Sequence, residues 1–215
     1  MTGDTSLRLE RAAHVEIAAI GRMTVLRELI LTRSAVSDLS PIAALIQLEI
    51  LGLRLTAITD LTPLKTLTQL RSLIVSFTAI EDLTPLTALT RLESLHLTGT
   101  RARDLAPIAS LTNLARLDLG GTAVSDLTPL RNLIKLQGLQ LAGTKVTDLS
   151  PLSGMMSLRF LDLGDTPVAD LTPLRGLTAL KEIDLRGTKV TDVSALAGLK
   201  DLAIVSATSP RRRRR

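Results

Sequence analysis

The sequence predicts an α/β solenoid, a horseshoe with a parallel β-sheet on its concave face and 3₁₀ or short helical segments on its convex face. The first observation is a repeat: the phrase DLTPLKTLTQLRSLIVSFTAIE, which begins at Asp60, recurs with variations every 22 residues without insertion or deletion. The second is a change of hydrophobic period inside each unit, from three to two. The third is size, because a 22-residue unit cannot bury its leucines alone and must stack on its neighbours. The aspartates that mark the register are Asp38, Asp60, Asp82, Asp104, Asp126, Asp148, Asp170 and Asp192.

The period of two predicts a strand in each unit. Leu73 and Val75 are two residues apart, which is the spacing of a strand with one buried face. The unit register extends to Leu7 and Leu9 near the N-terminus and to Ile204 and Val205 near the other end. We therefore expect ten strand positions, and the stacking requires these strands to be parallel.

The period of three predicts a 3₁₀ segment, because an α-helix would mix steps of three and four. In the unit that begins at Asp60, the leucines at 61, 64, 67 and 70 keep the strict step of three. A Thr-Pro or Ser-Pro pair follows most of the register aspartates, as at Thr62-Pro63. We expect the hydroxyl to cap the segment and the proline to take its first position. We also expect the aspartate to accept hydrogen bonds from backbone N–H groups at that end.

A threonine recurs where the chain leaves each strand, for example at Thr122. We expect this column to point inward and its hydroxyls to satisfy buried backbone groups of adjacent coils. The predicted organisation is a partial repeat or cap at 1–15, the repeat domain at 16–209 and an arginine-rich tail at 210–215.

The composition excludes several classes of protein. With 45% hydrophobic residues the chain can bury a core, and without cysteine it has neither disulfides nor thiolate metal sites. The N-terminal residues lack the apolar run of a secretory signal, and we find no stretch long enough to span a membrane, so a cytoplasmic location is expected.

The charge excess belongs to the tail. Of 26 basic side chains five are Arg211–Arg215, and the remaining 21 equal the 21 acidic ones. A basic nucleic-acid-binding surface on the folded body is therefore not expected. The tail is expected to bind polyanions weakly, or to occupy the acidic end of the concave face of its own chain, or to be an added tag.

The candidate binding residues are outward-facing strand positions, and one strand exit, that the repeat leaves variable. Between the two inward residues of successive strands come Ile30, Gly52, Ile74, His96, Asp118, Gln140, Asp162 and Asp184. The predicted partner-binding set is Ile30, Ile50, Ile74, Phe77, His96, Arg116, Asp118, Gln140, Phe160, Asp162 and Asp184. The apolar members favour a protein contact, since exposed apolar and aromatic patches are typical of interfaces.

Other interpretations of this set stay open at the level of sequence. The isoleucines are also suited to padding a sheet surface, and Phe160 could lie across Gly138 of the adjacent coil. The acidic column admits internal pairing with Arg159, Lys181 and Arg186, a basic partner, or a metal ion.

No catalytic residue, metal site or cofactor is predicted. The two histidines are His14 and His96, and the repeat specifies no pairing of either one with a Ser, Asp or Glu side chain. The Gly-Thr steps are turns at strand exits, and no phosphate-binding GKS or GKT follows them.

The repeat resembles the leucine-rich-repeat family, in the 22-residue form of bacterial internalins. The pattern LxxLxLxGTxVxDLTPLxxLxxL is matched by Leu114 to Leu136, and the resemblance extends over nearly the whole chain. Threonine stands where the family usually has asparagine, and the signal peptide, helical cap and wall anchor of internalins are not visible, so adhesion to a host receptor is not carried over. The resemblance implies a non-enzymatic module that binds a protein or peptide on its concave face. The alternative is a ligand-sensing segment of a larger signalling ATPase or multidomain protein. We expect a monomer, with an edge-to-edge dimer through an exposed end strand as the alternative.

Overall fold

The chain forms one ten-stranded parallel sheet in which the strands lie side by side in chain order. The structure, a computed structural model, describes residues 5–12 and 17–206. His14 and the tail Arg211–Arg215 lie outside the described residues. The strands are β1 (Ser6–Arg8), β2 (Glu28–Ile30), β3 (Ile50–Gly52), β4 (Ser72–Ile74), β5 (Ser94–His96), β6 (Arg116–Asp118), β7 (Gly138–Gln140), β8 (Phe160–Asp162), β9 (Glu182–Asp184) and β10 (Ala203–Val205). This is the predicted leucine-rich-repeat solenoid.

Short helical segments return the chain from each strand to the next. The first is an α-helix, α1 (Ile17–Ile20), and the others are 3₁₀ segments. The 3₁₀ segments are Ser40–Ala44, Thr62–Thr66, Thr84–Ala88, Ala106–Ile108, Thr128–Leu130, Ser150–Leu152, Thr172–Leu174 and Ser194–Leu196. The strict step of three therefore predicted the helix type correctly. No helix in the described part of the chain is long and apolar enough to cross a membrane.

The register of the sheet turns each position of the repeat into a column. From β1 to β9 every residue pairs with the residue 22 positions later, as Leu51 does with Leu73. The middle residues of β2 to β9 point into the core and are at most 1% exposed. The step-of-three leucines are equally buried, for example Leu64, Leu67 and Leu70 at 0%. The core is therefore one continuous stack of like residues.

The aspartate column caps the 3₁₀ segments, in a way that corrects the expected roles of threonine and proline. Asp60 Oδ1 accepts a hydrogen bond from the Thr62 amide at 2.7 Å, and the other register aspartates make the same contact at 2.8 Å. The segment begins at Thr62 itself, Pro63 is its second residue, and the preceding Leu61 makes no side-chain cap. The hydroxyl instead donates to the same aspartate, as Ser150 Oγ does to Asp148 Oδ2 at 2.8 Å and Ser194 Oγ to Asp192 Oδ2 at 2.9 Å.

The threonine column is buried as predicted, but its hydroxyls act within their own coil. Thr122 is 3% exposed, and its Oγ1 donates to the carbonyl of Leu119 at 2.7 Å. The same bond to the residue three positions earlier recurs from Thr56 to Thr188. The expected bonds to adjacent coils are wrong, because neighbouring coils already pair through their strand backbones. The threonine instead fixes the turn at the strand exit.

The threonine bond should be measurable as stability. We expect Thr122→Val, which keeps the shape of the side chain and removes its donor, to lower the free energy of unfolding by about 1 kcal/mol. The matched control is Thr112→Val, at an exposed position, which should change it by less than about 0.5 kcal/mol. Equal unfolding midpoints of the two variants in urea would show that the buried hydroxyl contributes nothing.

Candidate binding site on the concave face

The residues on either side of each buried strand residue point away from the core, because side chains alternate along a strand. The first residues of the strands form one column and the third residues form another. In the first column Arg116, Gly138 and Phe160 stand beside one another. In the third column Asp118, Gln140 and Asp162 do the same. These two columns form the concave surface of the sheet.

The C-terminal half of this surface contains an open depression of about 610 Å³. Its lining includes seven of the eleven predicted binding residues: His96, Arg116, Asp118, Gln140, Phe160, Asp162 and Asp184. The other residues that line it are Leu117, Gln137, Gly138, Arg159, Glu182 and Arg186. We call this depression the C-terminal pocket.

Gly138 opens the pocket. A Cβ atom built on Gly138 would find one neighbour within 4 Å, Arg116 Cγ at 3.8 Å. Phe160 therefore does not lie across Gly138, and that interpretation of its ring is wrong. The missing side chain leaves a gap in the first column, and the half-buried ring of Phe160 stands at its border.

Asp184 is neutralised inside the protein, as the sequence allowed. It is 7% exposed, and Arg186 Nε lies 2.9 Å from both carboxylate oxygens. The Arg186 amide also donates to Asp184 Oδ1 at 3.0 Å. Burial alone would raise the pKa of Asp184, but these hydrogen bonds and the arginine charge outweigh it and lower the pKa. Asp184 is thus half of a structural ion pair.

Asp162, directly beside Asp184 in the sheet, has no such partner. Its Oδ1 accepts a hydrogen bond from the Gly164 amide at 2.9 Å. Within residues 5–12 and 17–206, no Lys, Arg or His nitrogen forms an ion pair with its carboxylate. Burial raises the pKa of Asp162, and the charges of Asp184 and Asp118 add to the rise; the Gly164 amide and the charge of Arg186 lower the pKa but do not outweigh it. Asp184 therefore forms an ion pair with a basic residue of its own chain, whereas Asp162 forms none within the described residues.

His96 has the partners that the sequence did not reveal. Its Nε2 lies 2.9 Å from Ser94 Oγ, and its Nδ1 lies 3.9 Å from Asp118 Oδ2. Burial alone would raise the pKa of Asp118, but the side chains of His96 and Thr98 and the Gly120 amide outweigh it and lower the pKa. The repeat register already placed Asp118 beside His96, but it did not show that the His96 side chain contacts both Asp118 and Ser94, because that depends on side-chain conformation.

Ser94, His96 and Asp118 have the order of a nucleophile, base and orienting acid, but their setting favours a structural or recognition role. Ser94 is 5% exposed, and its amide donates to the Arg71 carbonyl at 3.0 Å. The next strand is held in the same way, with the Arg116 amide on the Glu93 carbonyl. An acyl-transfer site needs an accessible nucleophile and backbone donors aimed at the developing oxyanion. Here the neighbouring amides are committed to the sheet.

The isoleucines of the N-terminal half cover the sheet surface. Ile30 and Ile74 flank Gly52 in the third column, and all three predicted isoleucines are half-buried. Ile30 Cδ1 lies 2.7 Å from the point that a Cβ atom of Gly52 would occupy. Ile30 thus fills the place of the missing side chain. The structure does not bring Ile30, Ile50 and Ile74 into the C-terminal pocket.

Phe77 also lies apart from the pocket, at the exit of β4. It is 45% exposed and has a φ of +58°, at the turn position that glycine occupies in the next coil. Its ring approaches Gly99, where a Cβ atom would be 2.7 Å from Phe77 Cδ1. The guanidinium carbon of Arg54 lies 5.0 Å from the centre of the ring, a cation–π contact. Phe77 therefore belongs to a separate surface cluster.

The predicted set omitted lining residues that the register could have supplied. Gly138 and Glu182 belong to the same first column as Arg116 and Phe160. Gln137 lies one residue before its strand, a column that a sequence pattern restricted to the strand does not include. In the described residues, no three His, Cys, Asp or Glu side chains are grouped closely enough to hold a metal ion.

The comparisons with known proteins agree with this architecture. Residues 113–207 match the family model of the leucine-rich-repeat domain of the endo-β-N-acetylglucosaminidase EndoS. An internalin, InlF, from Listeria monocytogenes is 33% identical, with a TM-score of 0.90 over 94% of this chain and 59% of that one. Internalin C2 from the same organism is 32% identical, with a TM-score of 0.83 over 86% of this chain and 83% of that one.

A plant peptide hormone receptor, RGFR1, in complex with RGF2 shares the fold at 20% identity, with a TM-score of 0.77 over 94% of this chain and 35% of that one. None of the curated proteins matches the sequence. The chain spans 59% of the InlF chain but 83% of the internalin C2 chain. Together with the repeat and the sheet, these similarities show that the chain belongs to the leucine-rich-repeat family, in its 22-residue internalin-like form.

Proposed function

We propose that this protein is a non-enzymatic interaction module that binds a polypeptide on its concave face, at the C-terminal pocket. The observation that carries the proposal is the convergence in one depression of variable side chains from five adjacent strands, β5 to β9. The repeat dictates the leucines beneath these positions but not the residues themselves. A regular scaffold does not need such a cluster in order to fold, so we attribute the cluster to a function such as binding.

The chemistry of the pocket suits a polypeptide. Phe160 offers an apolar ring, Asp162 a hydrogen-bond acceptor, and Gln140 an amide that both donates and accepts. Arg116 is exposed and supplies a cationic donor beside them. A peptide presents the matching set of backbone N–H and C=O groups with apolar and charged side chains. A volume of about 610 Å³ is that of a site for a few side chains.

The alternative, a ligand-sensing segment of a larger multidomain protein, is favoured by one observation. The family model that matches residues 113–207 describes a leucine-rich-repeat domain within an enzyme. In that setting the same concave face would bind a ligand on behalf of attached domains. Hydrogen exchange distinguishes the two: end coils that require attached domains should exchange early, whereas the end coils of a self-sufficient module should be protected.

The environment of Asp162 is typical of a residue that serves binding rather than stability. A half-buried carboxylate without a cation, next to another carboxylate, costs folding free energy, and such costs are typical of functional sites. Because its pKa is raised in the folded state, the charged carboxylate destabilises the protein above that pKa. The cost disappears when the pH falls below the unfolded value, where the group is protonated in both states.

Removing the charge should therefore stabilise the protein. We expect Asp162→Asn, whose Oδ1 can still accept from the Gly164 amide, to raise the melting temperature at pH 7. The gain should vanish as the pH falls below about 4. The matched variant Asp184→Asn leaves Arg186 without its ion pair and should instead lower stability by about 1 kcal/mol. Thermal melts of the two variants across pH 3–7 measure both, in a chain whose Arg211–Arg215 are replaced by serine so that no tail arginine can pair with Asp162. Destabilisation by Asp162→Asn at pH 7 in this chain would contradict this account.

The binding proposal itself is tested with peptides. Peptides selected from a random display library against the full chain should lose about 1–4 kcal/mol of binding free energy with Phe160→Ala, as expected for an aromatic anchor. The control is Ile134→Ala, which truncates a 58% exposed side chain outside the sheet and should leave binding unchanged. Titration calorimetry measures both. Selected peptides that bind the Phe160→Ala protein as tightly as the wild type would exclude the pocket.

A further inference from the structure

We propose that Phe160 and Asp162 form a binding site for one arginine side chain, and that the arginine comes from the chain's own Arg211–Arg215. The two residues are the first and third of β8, so they lie on the same face of the sheet about 7 Å apart along the strand. A guanidinium group can stack on an aromatic ring while its N–H groups donate to a carboxylate. The pair offers both surfaces in one place.

Asp162 lines the C-terminal pocket without an ion-pair partner in the described part of the chain. Arg186 is bound to Asp184, and His96 lies beside Asp118. The charge of Arg186 lowers the pKa of Asp162, but burial and the neighbouring carboxylates outweigh it. A positive group placed against this carboxylate would therefore be attracted to it.

The protein already uses the same contact at its other phenylalanine. Arg54 places its guanidinium carbon 5.0 Å from the centre of the Phe77 ring, from the adjacent coil. Phe77 has no carboxylate paired with it in that contact. Phe160 is half-buried and borders the gap left by Gly138, and it has Asp162 two residues away. An arginine bound at Phe160 would thus gain an ion pair in addition to the stacking.

The position of the last strand gives the tail access to this site. Val205 ends β10 and lies beside Asp184, which lies beside Asp162. The carboxyl ends of parallel strands meet at one edge of a sheet, so the chain leaves β10 on the edge where the third column lies. Two strand spacings are about 10 Å, and the six residues that follow Val205, 206–211, can span up to about 20 Å. Such tethering gives an effective concentration on the order of millimolar.

The test compares the full chain with a variant in which Arg211–Arg215 are all replaced by serine, which keeps the length of the chain. Carbon-13 NMR of the side-chain carboxyl groups measures the titration of Asp162. The expected result is a midpoint about 0.5–1 pH unit lower in the full chain than in the serine variant, because a bound guanidinium favours the carboxylate. Asp126, an exposed register aspartate, is the control and should titrate identically in both. Equal Asp162 midpoints would overturn the proposal.

Two further arms separate a specific site from general attraction. Phe160→Leu keeps an apolar side chain and removes the π face, so it should reduce the shift at Asp162; an unchanged shift would exclude the ring from the site. A synthetic penta-arginine peptide added to the serine variant should restore the shift at Asp162 and should bind the full chain at least tenfold more weakly. Equal binding to both proteins would show that the tail does not occupy the site. Because the comparison of the full chain with the serine variant uses no selected peptide, its failure leaves the peptide-binding function separately testable.

Discussion

The structure depends on the lateral stacking of leucines at a constant 22-residue interval. Each coil buries its leucines against the same leucines of its neighbours, so an insertion of one residue would displace a coil from two interfaces at once. The aspartate caps and threonine bonds serve this interval, because they fix the start of each 3₁₀ segment and the exit of each strand. With the interval fixed, every position of the repeat becomes a line of direct contacts about 4.8 Å apart.

Because the interval is constant, the order of charges along a column determines which charged side chains are neighbours. One residue before the strands, Arg27, Glu49, Arg71 and Glu93 alternate in sign and form ion pairs from coil to coil. The third column does not alternate, since Asp162 and Asp184 are neighbours of like sign. Two residues of like charge that are neighbours in a column lie on adjacent strands, and their repulsion at that distance is destabilising. The alternating column therefore stabilises the stack, whereas in the acidic column the charged form of Asp162, whose pKa is raised, is destabilising.

The sequence predicted the backbone almost completely and the site in part. The strand positions, the parallel order and the 3₁₀ type follow from period and spacing, which depend on the repeat alone. The two outward-facing columns were also predictable, and seven of the binding residues predicted from them line the pocket. Hydrogen-bond partners were not, because they depend on side-chain conformation: the threonine hydroxyl bonds within its own coil, and Ser94 and Asp118 contact His96 from two strands. The gap at Gly138 was not predictable either, since its size depends on where the side chains of Arg116 and Phe160 point.

The difference between the three acidic positions can be traced to the residue two places after each aspartate. Asp184 is followed by Arg186, whose side chain folds back onto the carboxylate. Asp118 and Asp162 are followed by Gly120 and Gly164, which supply an amide and no side chain. A Cβ atom on Gly164 would lie 3.1 Å from Asp162 Oδ1, so any side chain there would crowd the carboxylate.

Asp118 recovers a partner from the neighbouring coil, because His96 precedes it in the column. Asp162 has Gln140 in that place, and a neutral amide cannot balance its charge. Two local choices, Gly164 along the chain and Gln140 across the sheet, thus leave this one carboxylate open toward the pocket. Neither choice is required by the repeat, since Arg186 and His96 occupy the equivalent positions elsewhere in the same solenoid. The arginine contact that we propose for this carboxylate rests on these two positions, which the repeat does not dictate.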